Sequence, residues 1–152
     1  MNKAATAVSH KSVLVVDDDA RMVHALEKIL RGEGMDVSSA FEASEAMEIL
    51  TRRQKKIDLV ITDLRMPFVT GMTLLYAIQE ISPRLPVIVL TAFGSPEIRA
   101  KCLQQGAVAF IEKPVESRAL IETVSEAFGS EHGAGQIAAA AHSGKPGKGD
   151  AQ

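Results

Sequence analysis

The chain has 152 residues, of which 46% are hydrophobic and 24% charged, with a formal net charge of -2. That length fits one domain, that composition builds a core, and a charge so near neutral speaks against a direct nucleic-acid surface. A single cysteine, Cys102, excludes an internal disulfide and the usual zinc clusters. No apolar run reaches the about eighteen residues of a membrane span, and residues 1–10 lack the apolar core of a secretory signal, so a reducing cytoplasm is the expected location.

In chain order, residues 1–11 read as a loose polar tail. Residues 12–16 (SVLVV) form a short apolar run, the first strand, which ends abruptly in Asp17, Asp18 and Asp19. Met22, Val23, Leu26, Ile29 and Leu30 then fall three or four apart, a helical spacing, with Asp19 as its cap and Gly32 or Gly34 as its stop. Residues 35–39 are a weak second strand. Ala43, Ala46, Met47 and Leu50 mark a second helix, closed by the polar stretch 51–56. The third strand, 59–62 (LVIT), delivers Asp63 and turns at Pro67. A loop runs to Gly71, and Met72, Leu75, Ile78 and Ile81 give a third helix that stops before Pro83. Pro86 opens the fourth strand, 87–90, ending in Thr91. Ser95 suits a cap and Pro96 the first helical position of a short, poorly patterned fourth helix. Residues 107–111 are the fifth strand, followed by Lys113 and Pro114. Leu120, Ile121, Val124 and Phe128 mark a fifth helix from about Ser117. Residues 130–152 are rich in Gly, Ala, Ser and Lys and read as a flexible tail with no second domain.

Strand and helix alternate five times, the pattern of a parallel sheet covered by helices on both faces. In such sheets ligands bind at the carboxyl edge of the strands. That edge collects Asp17 and Asp18 from strand one, Asp63 from strand three, Thr91 from strand four and Lys113 after strand five. Three carboxylates in a small space repel unless something neutralises them. A hard divalent cation with oxygen ligands, such as Mg²⁺, does so. A hydroxyl and an ammonium beside it suit a phosphoryl group, whose transfer is mostly positioning and charge neutralisation. Asp is an established nucleophile for aspartyl-phosphate formation. The residues therefore point to Asp63 attacking phosphorus, the acidic pair holding the metal, and Thr91 and Lys113 holding the product oxygens.

These same residues carry a strong resemblance to the receiver domains of two-component response regulators. The matching pieces are VLVVDDD at 13–19, VITDLRMP at 60–67 followed by Gly71, VLTA at 89–92 and GAVAFIEKP at 106–114. All four, in this order and spacing, cover about residues 12–129. The resemblance implies an α/β fold: a doubly wound five-stranded parallel sheet of order 2-1-3-4-5 flanked by five helices, flavodoxin-like. It implies that Asp63 is the phosphoacceptor, that Asp18 binds Mg²⁺ directly and Asp17 mainly through a metal-bound water, and that the backbone carbonyl of Arg65 is a further ligand. By the same resemblance Lys113 pairs with the phosphoryl group, Thr91 moves toward it, Phe110 changes rotamer with Thr91, and the Lys113–Pro114 bond is cis.

Each residue also has a plainer reading. Asp63 alone could cap a helix or form a turn. Thr91 could simply end a strand, Phe110 could be core, and Lys113 a solvated charge. Asp19 reads better as a cap than as a metal ligand. His24, His132, His142 and Cys102 read as residues without chemistry, and Arg52, Arg53, Lys55 and Lys56 as a solvated helix end. Two positions are less usual for the family: Arg65, two after the acceptor, and Phe93, two after Thr91. They flank the route by which water would attack the acyl phosphate, and Phe93 cannot orient a water, so slow self-dephosphorylation is expected. Residues 68–70 also depart from the family's more usual Pro-Gly-Met-Asp.

The reading is a stand-alone receiver that accepts a phosphoryl group from a histidine kinase or histidine phosphotransfer protein and catalyses only its own modification. Its output would pass to a downstream protein through the fourth helix, fifth strand and fifth helix, with a phosphorylation-dependent dimer as one form of that output and no direct nucleic-acid or membrane contact. The alternatives are a phosphorylation-independent adaptor with the same fold and a receiver detached from a longer regulator. A haloacid-dehalogenase-like phosphatase is disfavoured, because Arg65 stands where that family has a second Asp.

Overall fold

The computed structural model describes residues 9–65 and 70–129. Its three central strands are buried on both faces. β1 (Ser12–Val16) has its last four residues buried, β3 (Leu59–Thr62) all four and β4 (Val87–Thr91) all five. A strand covered on both sides reads as a continuous apolar run, which is why these segments show no alternation. β2 (Asp36–Ala40) lies at one edge, and β5 (Ala109–Glu112) at the other. All pairings are parallel and the order is β2-β1-β3-β4-β5.

The side chains divide between two cores. Val13, Val15, Leu59, Ile61, Ile88 and Leu90 point to one face, under α1 (Ala20–Gly32) and α5 (Ser117–Gly129). Leu14, Val16, Val60, Val87, Val89 and Phe110 point to the other, under α2 (Ala43–Arg52), α3 (Gly71–Ile81) and α4 (Pro96–Gln104). Leu26 and Leu30 of α1 and Leu74, Leu75 and Ile78 of α3 are almost wholly buried. Burying such a side chain fully is worth about 1.5–3 kcal/mol. α4 is anchored differently: Cys102 is its only fully buried residue.

The caps follow the sequence closely. Asp19 accepts the Arg21 N–H at 3.0 Å, and Ser95 Oγ accepts the Ile98 N–H at 3.1 Å with Pro96 opening α4. Thr70 caps α3, which the sequence reading did not foresee. Two strand starts differ from expectation, while α2 closes within the expected polar stretch 51–56. β2 starts one residue later, at Asp36, because the Met35 N–H closes α1 by donating to Leu30 O. β5 begins at Ala109 rather than 107, because the Ala107 N–H closes α4 on Cys102 O after Gly106 turns with φ of 109°. α2 ends on Arg53 at φ of 53°, a left-handed residue without the glycine that usually marks such a stop. Residues 1–8 and 130–152, expected as loose tails, lie outside the described residues, as do residues 66–69 of the loop after β3.

Candidate functional site

Strand adjacency builds the site. β1 and β3 are direct neighbours, with Val16 opposite Thr62. The residues that follow them, Asp17 and Asp63, therefore emerge side by side. The ladder continues through them: the Asp63 N–H donates to Val16 O at 3.0 Å and the Asp17 N–H to Ala40 O at 3.1 Å. One carboxylate oxygen from each of Asp17, Asp18 and Asp63 lies within 4.8 Å of the others. Lys113 follows β5 and reaches back across β4, placing Nζ 2.9 Å from Asp17 Oδ2 and 3.4 Å from Asp63 Oδ2. Arg65 and Phe93 line the same open cleft.

Asp63 is held on every side. Its Oδ1 accepts the Leu64 N–H at 2.7 Å, and its Oδ2 faces Lys113. The buried Thr62 hydroxyl donates to its backbone carbonyl at 2.9 Å. The first residue of α3 presses against the same carbonyl: a Cβ on Gly71 would lie 2.1 Å from Asp63 O. No side chain fits there, so the glycine is set by close approach. Asp17 Oδ1 accepts the Asp19 N–H at 2.9 Å, and Asp18 is exposed at the cleft mouth.

The charges settle unevenly. Burial pushes the Asp17 carboxyl above its ordinary value of 3.8, and the charge of Asp63 adds to the push; the Asp19 N–H and Lys113 oppose it. Burial pulls the other way on Lys113, but its hydrogen bond to Asp17 and the charges of Asp17 and Asp63 outweigh it and hold the ammonium above its ordinary 10.5. Lys113 is therefore a fixed cation. One ammonium against three carboxylates leaves two negative charges in excess. Clustered hard oxygen donors with that excess fit a divalent cation such as Mg²⁺.

Thr91 and Phe110 stand beside the cleft rather than in it. Thr91 is fully buried at the end of β4, and its Oγ1 accepts the Phe93 N–H at 3.2 Å. Phe110, 2% exposed, is turned into the core under α4. Lys113–Pro114 is cis. Asp19 caps α1 and is absent from the oxygen cluster. The roles of the Thr62 hydroxyl and the Leu64 N–H left no mark in the sequence, because backbone and hydroxyl contacts do not constrain residue type strongly. Arg65 and Phe93, the two positions expected to flank the cleft, stack directly on each other, with the guanidinium carbon 4.1 Å from the ring centroid, a contact that sequence alone does not show.

A doubly wound sheet with an acidic cluster and a lysine at the edge between β1 and β3 is the architecture of a receiver. Residues 13–125 match the family described as the response regulator receiver domain. The transcriptional regulatory protein GlrR of Escherichia coli K12 is 41% identical over 123 residues, 80% of this chain and 27% of that protein. Among solved structures, the crystal structure of the CheX-CheY-BeF3-Mg²⁺ complex from Borrelia burgdorferi superposes with a TM-score of 0.75 at 32% identity, over 78% of this chain and 89% of that one. The solution structure of the beryllofluoride-activated NtrC4 receiver domain dimer gives 0.74 at 32% identity, over 78% and 97%. The chain belongs to the receiver-domain family of two-component response regulators. It spans about a quarter of the length of the curated relatives that it matches. Among the described residues no helix is long and apolar enough to cross a membrane.

Proposed function

We propose that this receiver is a phosphorylation switch whose acceptor is Asp63, with a histidine kinase or histidine phosphotransfer protein as donor. One observation carries the reading: Asp63 stands within 4.8 Å of Asp17 and Asp18 oxygens, with Lys113 Nζ 3.4 Å from its Oδ2, in a cleft open to solvent. A carboxylate oxygen of Asp63 attacks the phosphorus, the phosphorus–nitrogen bond to the donor imidazole breaks, and the histidine leaves with that electron pair. Lys113 exchanges part of its carboxylate pairing for a phosphoryl oxygen, and the Leu64 N–H orients the acceptor. Asp17, Asp18, Asp63 and the backbone carbonyl of Arg65 would hold Mg²⁺, which when bound supplies positive charge against the phosphoryl oxygens.

Thr91 and Phe110 carry the signal. The Thr91 hydroxyl moves to the phosphoryl group, and Phe110 repacks in the space it leaves. The face of α4, β5 and α5 then changes, a population shift between two states. The light anchoring of α4 through Cys102 supports this choice of face. The dimeric state of the NtrC4 neighbour supports dimerisation on phosphorylation as one output. Self-dephosphorylation is slow, because Arg65 and Phe93 at the cleft mouth offer no carboxylate or amide to orient water.

Borohydride reduces an acyl phosphate to an alcohol. After phosphorylation with acetyl phosphate and Mg²⁺, peptide mapping is expected to find homoserine at position 63 alone. Reduction elsewhere, or none, contradicts the assignment. A phosphoryl half-life of only seconds contradicts the slow hydrolysis.

A further inference from the structure

Arg65 and Phe93 come from different loops, after β3 and after β4, and meet at the mouth of the acidic cleft. The Arg65 guanidinium carbon sits 4.1 Å from the centroid of the Phe93 ring, and Phe93 is 51% exposed. The loop that carries Phe93 is tied on two further sides. The Phe93 N–H donates to Thr91 Oγ1 at 3.2 Å. The next residue, Gly94, lies so close to β5 that a Cβ there would stand 2.9 Å from Phe110 Cε1. One short loop thus touches Arg65, Thr91 and Phe110 together.

We propose that the stack of Arg65 on Phe93 is a latch released by charge. In the resting protein Arg65 holds the loop after β4 through the ring, and with it the Thr91 hydroxyl. The inference rests on the phosphoacceptor reading of Asp63. A phosphoryl group on that carboxylate offers the guanidinium a dianion in the same cleft. Charge-assisted Arg–phosphate hydrogen bonds are much stronger than an exposed stack on a ring. Arg65 leaves Phe93 for the phosphoryl oxygens, and the loop is free to carry Thr91 inward. The residue two after the acceptor is then a positioning residue that reads the charge state of its neighbour. The latch biases an equilibrium and creates no new state.

The test is the apparent affinity of the full chain for beryllofluoride with Mg²⁺, followed by the amide resonances of Thr91 and Gly94. If the resting state is latched, apparent affinity scales with the fraction of unlatched protein. Phe93→Leu should raise it about two- to fivefold, the factor that an exposed cation–π contact is worth. Phe93→Trp, which gives Arg65 an equal or stronger ring face, should not raise it and is expected to lower it. In the Arg65→Gln background, Phe93→Leu should have no effect. Both side chains are exposed, so these variants keep the core. An unchanged affinity in Phe93→Leu, or an equal rise in the Arg65→Gln background, overturns the latch while uptake by the wild type leaves the acceptor reading standing. No uptake by the wild type removes the acceptor reading, and the latch with it.

Discussion

Asp17 shows what the site costs a single residue. Its carboxyl is buried, its pKa is pushed up by that burial, and Lys113 offsets only part of the penalty. The sign matters for pH. A carboxylate whose folded pKa lies above its unfolded value destabilises the fold once pH rises past the unfolded value, and fully once it passes the folded one. A bound cation removes that cost by favouring the charged form. The gain in melting temperature on adding Mg²⁺ should therefore be larger near neutral pH than on acidification toward the ordinary carboxylate value of 3.8. An equal gain at both would mean that Asp17 is not coupled to the metal. Cys102 makes the opposite case, a residue with reactive chemistry that its surroundings suppress. Burial pushes its thiol up to about 11, and its Sγ lies 3.6 Å from Met72 Sδ in the core under α4. Alkylation at neutral pH should be slow in the folded protein and fast in urea. Rapid labelling of the folded chain would show that α4 opens readily.

At the scale of elements, two substitutions separate structural from site roles. Asp19→Ala removes the cap of α1 and should cost about 1 kcal/mol in urea unfolding. Because Asp19 lies outside the oxygen cluster, Mg²⁺ affinity should stay near that of the wild type. A large loss of affinity would make Asp19 a ligand after all. Gly71→Ala drives a Cβ into the Asp63 carbonyl, so the start of α3 or the end of β3 must shift. It should lose about 1–3 kcal/mol, as overpacked sites do, and phosphorylate more slowly. Unaltered kinetics would show that the Asp63 carbonyl need not be held. The sequence revealed these elements unevenly. Buried strands and amphipathic helices were legible because burial on two faces and helical spacing constrain residue type at every position. The ends of β2 and β5 were not, because Met35 and Ala107 spend their N–H groups on closing α1 and α4, a choice that their side chains do not record. Arg53 likewise closes α2 in a left-handed conformation that nothing in its type announces.

The whole molecule joins distant segments at one edge. Asp17, Asp63 and Lys113 meet only because the strand order sets β1 beside β3 and Lys113 reaches back over β4. The acidic cluster and its lysine were readable from alternation of strands and helices, since strand ends in a doubly wound sheet converge on one side. The Arg65–Phe93 stack was not, because it depends on how two loops lean toward each other. The central proposal, that its neighbours make the Asp63 carboxylate nucleophilic toward phosphorus, is tested most directly by intact mass after incubation with acetyl phosphate, with and without Mg²⁺, on this chain and on Asp63→Asn. One phosphoryl adduct that requires Mg²⁺ and vanishes in the variant is the predicted result. No adduct on the folded wild type, or an undiminished adduct on Asp63→Asn, would contradict it.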